Sequence, residues 1–267
     1  MSKQGKAGAE PGVVQSLTRA LSLLDTLAAG DGGLGLSEIA ARTALPVSTV
    51  HRLLTTLQLA NYVRFDHDRG VWQVGVQAFI VGVSFLRSRE IAAIARPVLH
   101  RMMEASGETA NLAIADQGEI VYLSQVESRE MMRAMAKPGS RVAMYCSALG
   151  KAMLAFMPAA DMRRLVDRRG LARLTANTIT SAERLYAELA AIRERGYAID
   201  DEEHSIGLRC AAAAIFDEAG LPAAAVSLSA PKARVPNARI ALLGEIVRNG
   251  AADITAAFGG RPPKAGS

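Results

Sequence analysis

Cysteine, aromatic residues and long apolar runs are all scarce in this chain, and each scarcity excludes a class of protein. The two cysteines, Cys146 and Cys210, are too few for the disulfide framework of a small secreted domain. No apolar run is long enough to span a membrane, and the first residues, MSKQGKAGAEPG, lack the apolar core of a secretory signal. We therefore expect a cytoplasmic protein with no membrane partner.

The charge balance shows no strong basic excess. The net charge of +5 is compatible with nucleic acid but does not require it. Residues 1–75 contain 7 Lys and Arg against 6 Asp and Glu, so phosphate contact in this half would depend on a few well-placed arginines. Half of the 267 residues are hydrophobic but only 4% are aromatic, which predicts two domains with aliphatic and alanine-rich cores.

The segment 36–57, LSEIAARTALPVSTVHRLLTTL, predicts two short helices joined by a turn. The second helix has one apolar stripe at i, i+3, i+4 and i+7, formed by Val50, Leu53, Leu54 and Leu57. Pro46 suits the first turn of that helix, and Ser37 is a candidate cap for the helix before it. An earlier helix over 13–29 would bury its own apolar side, formed by Leu17, Ala20, Leu21, Leu24 and Leu27.

A strand-turn-strand pattern follows directly in NYVRFDHDRGVWQVG, residues 61–75. A hairpin here predicts a winged helix-turn-helix domain over 12–75, whose second helix would enter the major groove of DNA. Its first residues would meet base edges, and arginines around it would contact phosphate. The predicted DNA contacts are Val47, Ser48, Thr49, His51 and Arg52 on that helix, with Arg19, Arg64 and Arg69 around it. A three-helix core with a solvated polar face is the simpler alternative for this pattern.

The pattern after the wing predicts an α+β domain with a mostly antiparallel sheet. A linker helix over 76–89 leads into a region, 90–258, in which period-two segments alternate with helical ones. Strands are predicted at 109–115, 119–126, 130–137, 141–145, 197–200, 209–216 and 222–230, before a last helix over 237–257. The two ends, 1–11 and 259–267, have the composition of disordered tails.

Several ordered segments resemble the IclR family of bacterial transcriptional regulators, over about 13–258 of the chain. Besides 36–57, they are QSLTRALSLLDTLA (15–28), GETANLAIADQGEIVYLSQVES (107–128), SALGKAMLAF (147–156), RGYAIDDEEHSIGLRCAAAAIFD (195–217) and SLSAP (227–231). The resemblance implies an N-terminal winged helix-turn-helix, a linker helix and a C-terminal GAF/PAS-like effector domain. It also implies a homodimer or homotetramer that binds a palindromic double-stranded DNA operator and responds to a small organic acid.

A candidate pocket for that acid lies in the second half of the chain. Ser147 would cap a helix beginning at Ala148, which leaves the amides of Ala148 and Leu149 free for a carboxylate. Ser227 and Ser229 stand two apart on a strand and would point to one face. The resemblance implies that these amides bind the acid and that Asp200, Cys210, Ser227 and Ser229 line its cavity. Its apolar wall would come from Met131, Met135 and Met144.

Other interpretations remain open from the residues alone. The two serines would otherwise be solvent-facing, and Cys210 one more small core residue. Cys210 as nucleophile with His204 as base would make a hydrolase of a small amide or ester, although Cys210 lies within an apparent strand. Zinc bound by Cys146, Cys210, His204 and Asp200 lacks the usual ligand spacing. We predict no catalytic residue, no metal and no cofactor, and a repressor or activator whose effector shifts a population of DNA-binding arrangements.

Overall fold

The computed structural model describes residues 13–87, 91–130 and 137–263. The predicted tail 1–11 and most of the predicted strand 130–137 lie outside the described residues. The chain divides into two compact units between residues 88 and 89. No helix within the described ranges is long and apolar enough to cross a membrane.

The first unit is a helical core with a two-stranded antiparallel hairpin and one further helix. Its elements are α1 (Gln15–Ala28), α2 (Leu36–Thr43), α3 (Val47–Leu59), β1 (Val63–Asp66), β2 (Val71–Val74) and α4 (Val76–Arg87). The stripe predicted for the second helix of the helix-turn-helix is confirmed: Val50 and Leu54 are fully buried. Leu53 and Leu57 pack against the same cluster, which includes Leu23, Leu27, Ile39 and Trp72.

The apolar side of α1 differs in part from the prediction. Leu27 is buried and Leu24 packs against the core as predicted. Leu17 and Leu21 are instead 59% and 52% exposed, and Leu23 is buried in their place. This helix carries five leucines, which cover more than one face. Periodicity therefore finds the helix but does not choose which of its apolar sides is buried.

Both helix starts of the helix-turn-helix were also predicted wrongly by one or two residues. Gly35, rather than Ser37, is the N-cap of α2, which begins at Leu36. Pro46 is the N-cap of α3 instead of a residue of its first turn. Neither cap accepts a hydrogen bond through a side chain. The usual polar-cap signal is therefore absent from these two boundaries.

The second unit is built around one antiparallel sheet. Its helices are α5 (Ile91–Ser106), α6 (Ala148–Leu154), α7 (Ala159–Arg169), α8 (Ala182–Arg195) and α9 (Asn237–Ala257). Its strands are β3 (Thr109–Asp116), β4 (Glu119–Val126), β5 (Arg141–Ala143), β6 (Ala198–Asp201), β7 (Leu208–Phe216) and β8 (Pro222–Pro231). The strand order is β5-β4-β3-β8-β7-β6, and the predicted α+β class with a mostly antiparallel sheet is confirmed.

Helices cover both faces of this sheet. On one face α5 and α9 pack over a cluster that contains Leu99, Leu112 and Leu228. On the other face α6 packs over Ala113, Ala212 and other small side chains. The central strands β7 and β8 read LRCAAAAIF and PAAAVSLSAP. Alanine at these positions lets helices approach the sheet closely on both sides.

Two segments near the ends of elements differ from the predictions. β5 stops at Ala143, and residues Met144–Cys146, assigned in part to a strand over 141–145, form a 3₁₀ turn that leads into α6. Residues 259–263, assigned to a disordered tail, donate three backbone hydrogen bonds, one of them from the Gly259 amide to the Ala256 carbonyl at 3.2 Å. The amide of Gly260 donates to the Thr255 carbonyl at 2.8 Å, and that of Arg261 to the Asp217 carbonyl at 3.1 Å.

Gly150 allows α6 to pass directly over the 3₁₀ turn. A Cβ atom on Gly150 would lie 2.2 Å from the Cα and carbonyl oxygen of Met144. We expect Gly150→Ala to lower the free energy of unfolding by about 3 kcal/mol, since backbone cannot yield as a side chain can. A Cβ on Gly82 of α4 would meet no atom of the described residues within 4 Å. The control Gly82→Ala should therefore be neutral or slightly stabilising in urea unfolding; equal losses for both variants would contradict the packing.

Candidate functional site

α3 exposes a mostly polar face opposite its buried stripe. Val47, Ser48, His51 and Arg52 are exposed, and Thr49 is half-buried. The five residues predicted to meet base edges therefore share one accessible stretch at the start of the helix. Such a stretch can lie in a major groove while the rest of the helix stays packed on its own core.

The arginines predicted to contact phosphate lie around α3 in the same unit. Arg64 on β1 and Arg69 in the hairpin turn are exposed, while Arg19 on α1 is half-buried. Within the described ranges, the guanidinium groups of Arg52, Arg64 and Arg69 have no ion-pair or hydrogen-bond partner. Arg42 on α2, in contrast, pairs with Glu38 at 2.7 Å. Unpaired arginines keep their full charge available for phosphate.

The hairpin is anchored by Trp72, which the sequence suggested only as a strand residue. Its ring lies 5.0 Å from that of Phe65. Its backbone amide donates to the Leu34 carbonyl at 2.9 Å, and the Leu34 amide donates back at 3.0 Å. This bridge ties the wing to the segment just before α2. The wing is therefore held in place on the helical core.

In the second unit, a polar cluster lies on the α6 face of the sheet. Strand register pairs Cys210 with Ser229 on one side and with Asp200 on the other, and pairs Ser227 with Asn111. The Asn111 Nδ2 atom donates to both serine hydroxyls at 3.2 Å, and the Cys210 thiol donates to the Ser229 hydroxyl at 3.2 Å. All five residues are buried, so the alternative of solvent-facing serines does not apply.

Asp200 is the ionisable member of this cluster. Its Oδ1 atom accepts hydrogen bonds from the amides of Glu203 at 2.7 Å and His204 at 3.4 Å. Burial raises the pKa of Asp200 to about 7; the Glu203 carboxylate adds to the rise, while the Glu203 amide and the Lys151 ammonium oppose it. The side chain can therefore carry or release a proton near neutral pH.

The start of α6 has the geometry expected for its cap. The Ser147 hydroxyl accepts a hydrogen bond from the Gly150 amide at 3.1 Å. The amides of Ala148 and Leu149 belong to the first turn, whose N–H groups have no acceptor within the helix. Both residues are buried, and α6 packs against β6, β7 and β8, the strands that carry Asp200, Cys210 and the two serines.

Nine residues were predicted for the effector site. The structure brings six of them together, and Met144 is buried in the cluster that contains Ala148, Leu149 and Cys210. Met131 and Met135 lie outside the described residues. Sequence reasoning missed Asn111, Gln125 and Tyr122. Gln125 Nε2 donates to Asn111 Oδ1 at 3.0 Å. Tyr122 packs against the cluster that contains Cys210. Burial raises the pKa of Tyr122, and Cys210 and Asp200 add to the rise. A polar Asn111 in the otherwise apolar strand TANLAIAD was the available signal.

The geometry argues against a thiol hydrolase and against zinc. Burial raises the pKa of the Cys146 thiol to about 12 and that of Cys210 further, so neither forms a thiolate readily. Burial lowers the pKa of His204, and its Nδ1 atom has no hydrogen-bond partner among the described residues. No group of three His, Cys, Asp or Glu side chains in the described residues could hold a metal ion.

Comparisons with known proteins agree over nearly the whole chain. The family model for the C-terminal domain of the bacterial transcriptional regulator IclR matches residues 83–256, and the IclR helix-turn-helix domain matches 16–67. The chain is 45% identical over 251 residues to the transcriptional repressor IclR of Escherichia coli, which covers 93% of this chain and 92% of that protein.

Two crystal structures share the fold. That of Thermotoga maritima IclR has a TM-score of 0.79 and 32% identity, covering 91% of this chain and 98% of that chain. An IclR homologue from Microbacterium hydrocarbonoxydans, complexed with 4-hydroxybenzoate, has a TM-score of 0.80 and 24% identity, covering 91% and 99%.

A DNA-binding winged helix-turn-helix followed by a separate α+β unit defines a two-domain transcriptional regulator rather than an enzyme. The chain belongs to the IclR family, so the resemblance drawn from the sequence is confirmed.

The raised pKa of Asp200 makes stability depend on pH. Its folded value, about 7, exceeds its ordinary value of 3.8, so the native state binds the proton more tightly than the unfolded state. The resulting stabilisation is fully present below about pH 4 and is lost as pH rises through 7. We expect the stability of the wild type relative to Asp200→Asn to fall between pH 4.5 and 8 in urea unfolding. Asp167→Asn, at an exposed position on α7, is the control, and a pH-independent difference for Asp200→Asn would contradict the assignment.

Proposed function

We propose that this chain is an operator-binding regulator whose affinity for DNA is controlled by a small organic acid bound in the second unit. The observation that carries the proposal is the buried polar cluster of Asn111, Asp200, Cys210, Ser227 and Ser229. Hydroxyl, amide and carboxyl groups beneath α6 cost stability that alanine at the same positions would not. A ligand that bonds to them gives a reason for their presence.

The chemistry of the cluster favours an acid with a second oxygen function. The first amides of α6, on Ala148 and Leu149, are suited to a carboxylate. Ser227, Ser229 and Asp200 supply both donors and acceptors for a hydroxyl or keto oxygen. The homologue from Microbacterium hydrocarbonoxydans was crystallised with such a molecule, 4-hydroxybenzoate. Met131, Met135 and Met144 remain the proposed apolar wall.

For DNA, we propose that Val47, Ser48, Thr49, His51 and Arg52 of α3 meet base edges, while Arg19, Arg64 and Arg69 contact phosphate. Exposed apolar side chains on α1 and α4, among them Leu17, Leu21 and Phe79, support a homodimer or homotetramer, because such side chains suit contacts between subunits. Two copies related by a two-fold axis would match a palindromic operator. The Escherichia coli relative is named a repressor, which supports repression as the output.

The assignment of base and phosphate contacts can be tested with two arginines of different role. We expect Arg52→Ala to weaken binding about 10- to 100-fold on a duplex selected by the full chain from a random pool. Its binding to a scrambled duplex should change less. Arg64→Ala should weaken binding to both duplexes alike, because a phosphate contact does not depend on sequence.

Fluorescence anisotropy measures both affinities, with Arg163→Ala, at an exposed position of α7, as a control that leaves them unchanged. If Arg52→Ala binds the selected duplex like the wild type, α3 does not have the proposed role.

The ligand site can be tested in a thermal-shift screen of acetate, pyruvate, benzoate and 4-hydroxybenzoate, with 4-hydroxybenzamide as the uncharged counterpart. An acid that binds the native state raises the melting temperature, and the amide should not. We expect Ser227→Ala with Ser229→Ala to abolish the rise while operator affinity is kept. Ser124→Ala is the control, since Ser124 pairs with Leu112 on the opposite face of the same sheet. An undiminished rise in melting temperature in the double variant would show that these serines do not bind the ligand.

A further inference from the structure

A buried ion pair lies beside the polar cluster, and neither of its members belongs to that cluster. Lys151, on the first turn and a half of α6, is 1% exposed, and its ammonium pairs with the Glu203 carboxylate. Glu203 belongs to the turn after β6, just beyond Asp200. The pair therefore connects α6 to the segment that carries the ionisable group of the cluster.

Glu203 is fixed on several sides. Its amide donates to Asp200 Oδ1 at 2.7 Å, and its carbonyl accepts a hydrogen bond from the Thr178 hydroxyl at 2.7 Å. Its second carboxylate oxygen, Oε2, is buried and has no hydrogen-bond partner among the described residues. The ion pair therefore links α6 to the residue whose amide holds Asp200.

The charges around Asp200 are unbalanced. The titratable or charged groups that face it are Lys151 from α6, Glu203 and His204 from the turn, Cys210 from β7, Cys146 from the 3₁₀ turn and Tyr122 from β4. Only Lys151 among them is a cation at neutral pH, and it already pairs with Glu203. An ionised Asp200 is thus a second buried carboxylate without its own counter-ion. A ligand carboxylate would bring a third, which costs free energy unless a proton enters too.

We propose that the Lys151–Glu203 ion pair is a positioning device for the effector site, which holds Asp200 against α6 and sets its charge so that an acid binds together with one proton. The inference rests on the proposed function for the identity of the ligand. The ligand anion and a proton from solvent enter together, the proton bonds to the Asp200 carboxylate, and the resulting carboxyl group donates to the ligand's keto or hydroxyl oxygen.

The first test needs no ligand. Carbon-13 NMR of the full chain, labelled at aspartate carboxyl groups, follows the titration of Asp200. The Asp200 signal is identified as the one that is missing from the spectrum of Asp200→Asn. Lys151→Met removes a positive charge and should raise the midpoint by about one pH unit, whereas Glu203→Gln removes a negative charge and should lower it by about one unit. Lys151→Arg keeps the charge and should leave the midpoint near that of the wild type.

Opposite shifts distinguish the proposal from a merely structural pair, because loss of packing alone would not move the two midpoints in opposite directions. Circular dichroism identifies any variant that fails to fold, and Glu203→Asp, which shortens the side chain but keeps its charge, then replaces Glu203→Gln. Glu203→Asp should leave the midpoint near that of the wild type while lowering the affinity for the ligand. Midpoints that stay fixed, or that shift the same way in Lys151→Met and Glu203→Gln, would overturn the proposal.

The second test measures proton uptake. Isothermal titration of the wild type with pyruvate and with 4-hydroxybenzoate at pH 7.5, in two buffers of different ionisation enthalpy, should show about three-quarters of a proton taken up per site, because Asp200 with a pKa of about 7 is already partly protonated at that pH. Affinity should fall up to tenfold for each pH unit above 7 in the wild type. It should not depend on pH in Asp200→Asn. If neither acid binds the wild type, the proposed function fails while the NMR result still decides on the pair. If an acid binds without proton uptake, the coupling is wrong although the function stands.

Discussion

The close contact between α6 and the alanine-rich face of the sheet is the constraint on which the second unit depends. Gly150 lets the helix pass over the backbone of Met144, and the small side chains of β7 and β8 let it pack closely against the sheet. Because the helix lies close to the sheet, it packs on the strands that carry Asp200, Cys210 and the two serines. A bulkier face would have separated these groups.

The two faces of the sheet in the second unit differ in the side chains that they bury. The face under α5 and α9 is a continuous apolar cluster, which stabilises the unit through burial of aliphatic side chains. The face under α6 mixes alanine with polar groups that are buried and hydrogen-bonded to each other. Such a network is stable only while its members stay satisfied, so a ligand or a proton that enters it can change the balance between arrangements.

Much of the architecture could be predicted from the sequence because the local patterns are strong. The strand over 119–126 and the final helix over 237–257 were predicted with the bounds that the structure has. Turn residues mark the start of the strand, and a long apolar periodicity marks the helix. Predictions failed where the local sequence is compatible with two structures. The leucines of α1 offer two apolar sides, and Met144 could continue a strand or turn toward α6. Only tertiary contacts decide between these.

The candidate site could be predicted in part for a similar reason. Alternation along β8 put Ser227 and Ser229 on one face, but it could not pair them with Asn111, which lies 116 residues from Ser227 in the chain. Cross-strand register depends on the whole sheet. The Lys151–Glu203 pair was equally hidden, because its members are 52 residues apart and each resembles an ordinary surface charge in the sequence.

Trp72, buried in the wing beside Phe65 and bridged to Leu34, is the only tryptophan of the chain. Emission excited at the red edge of the indole band therefore comes from the first unit alone, and the second unit, with its tyrosines, is silent in that channel. The molecule carries an intrinsic optical label on the half that reads DNA. A conformational change in the second unit alters this emission only when it also changes the surroundings of Trp72.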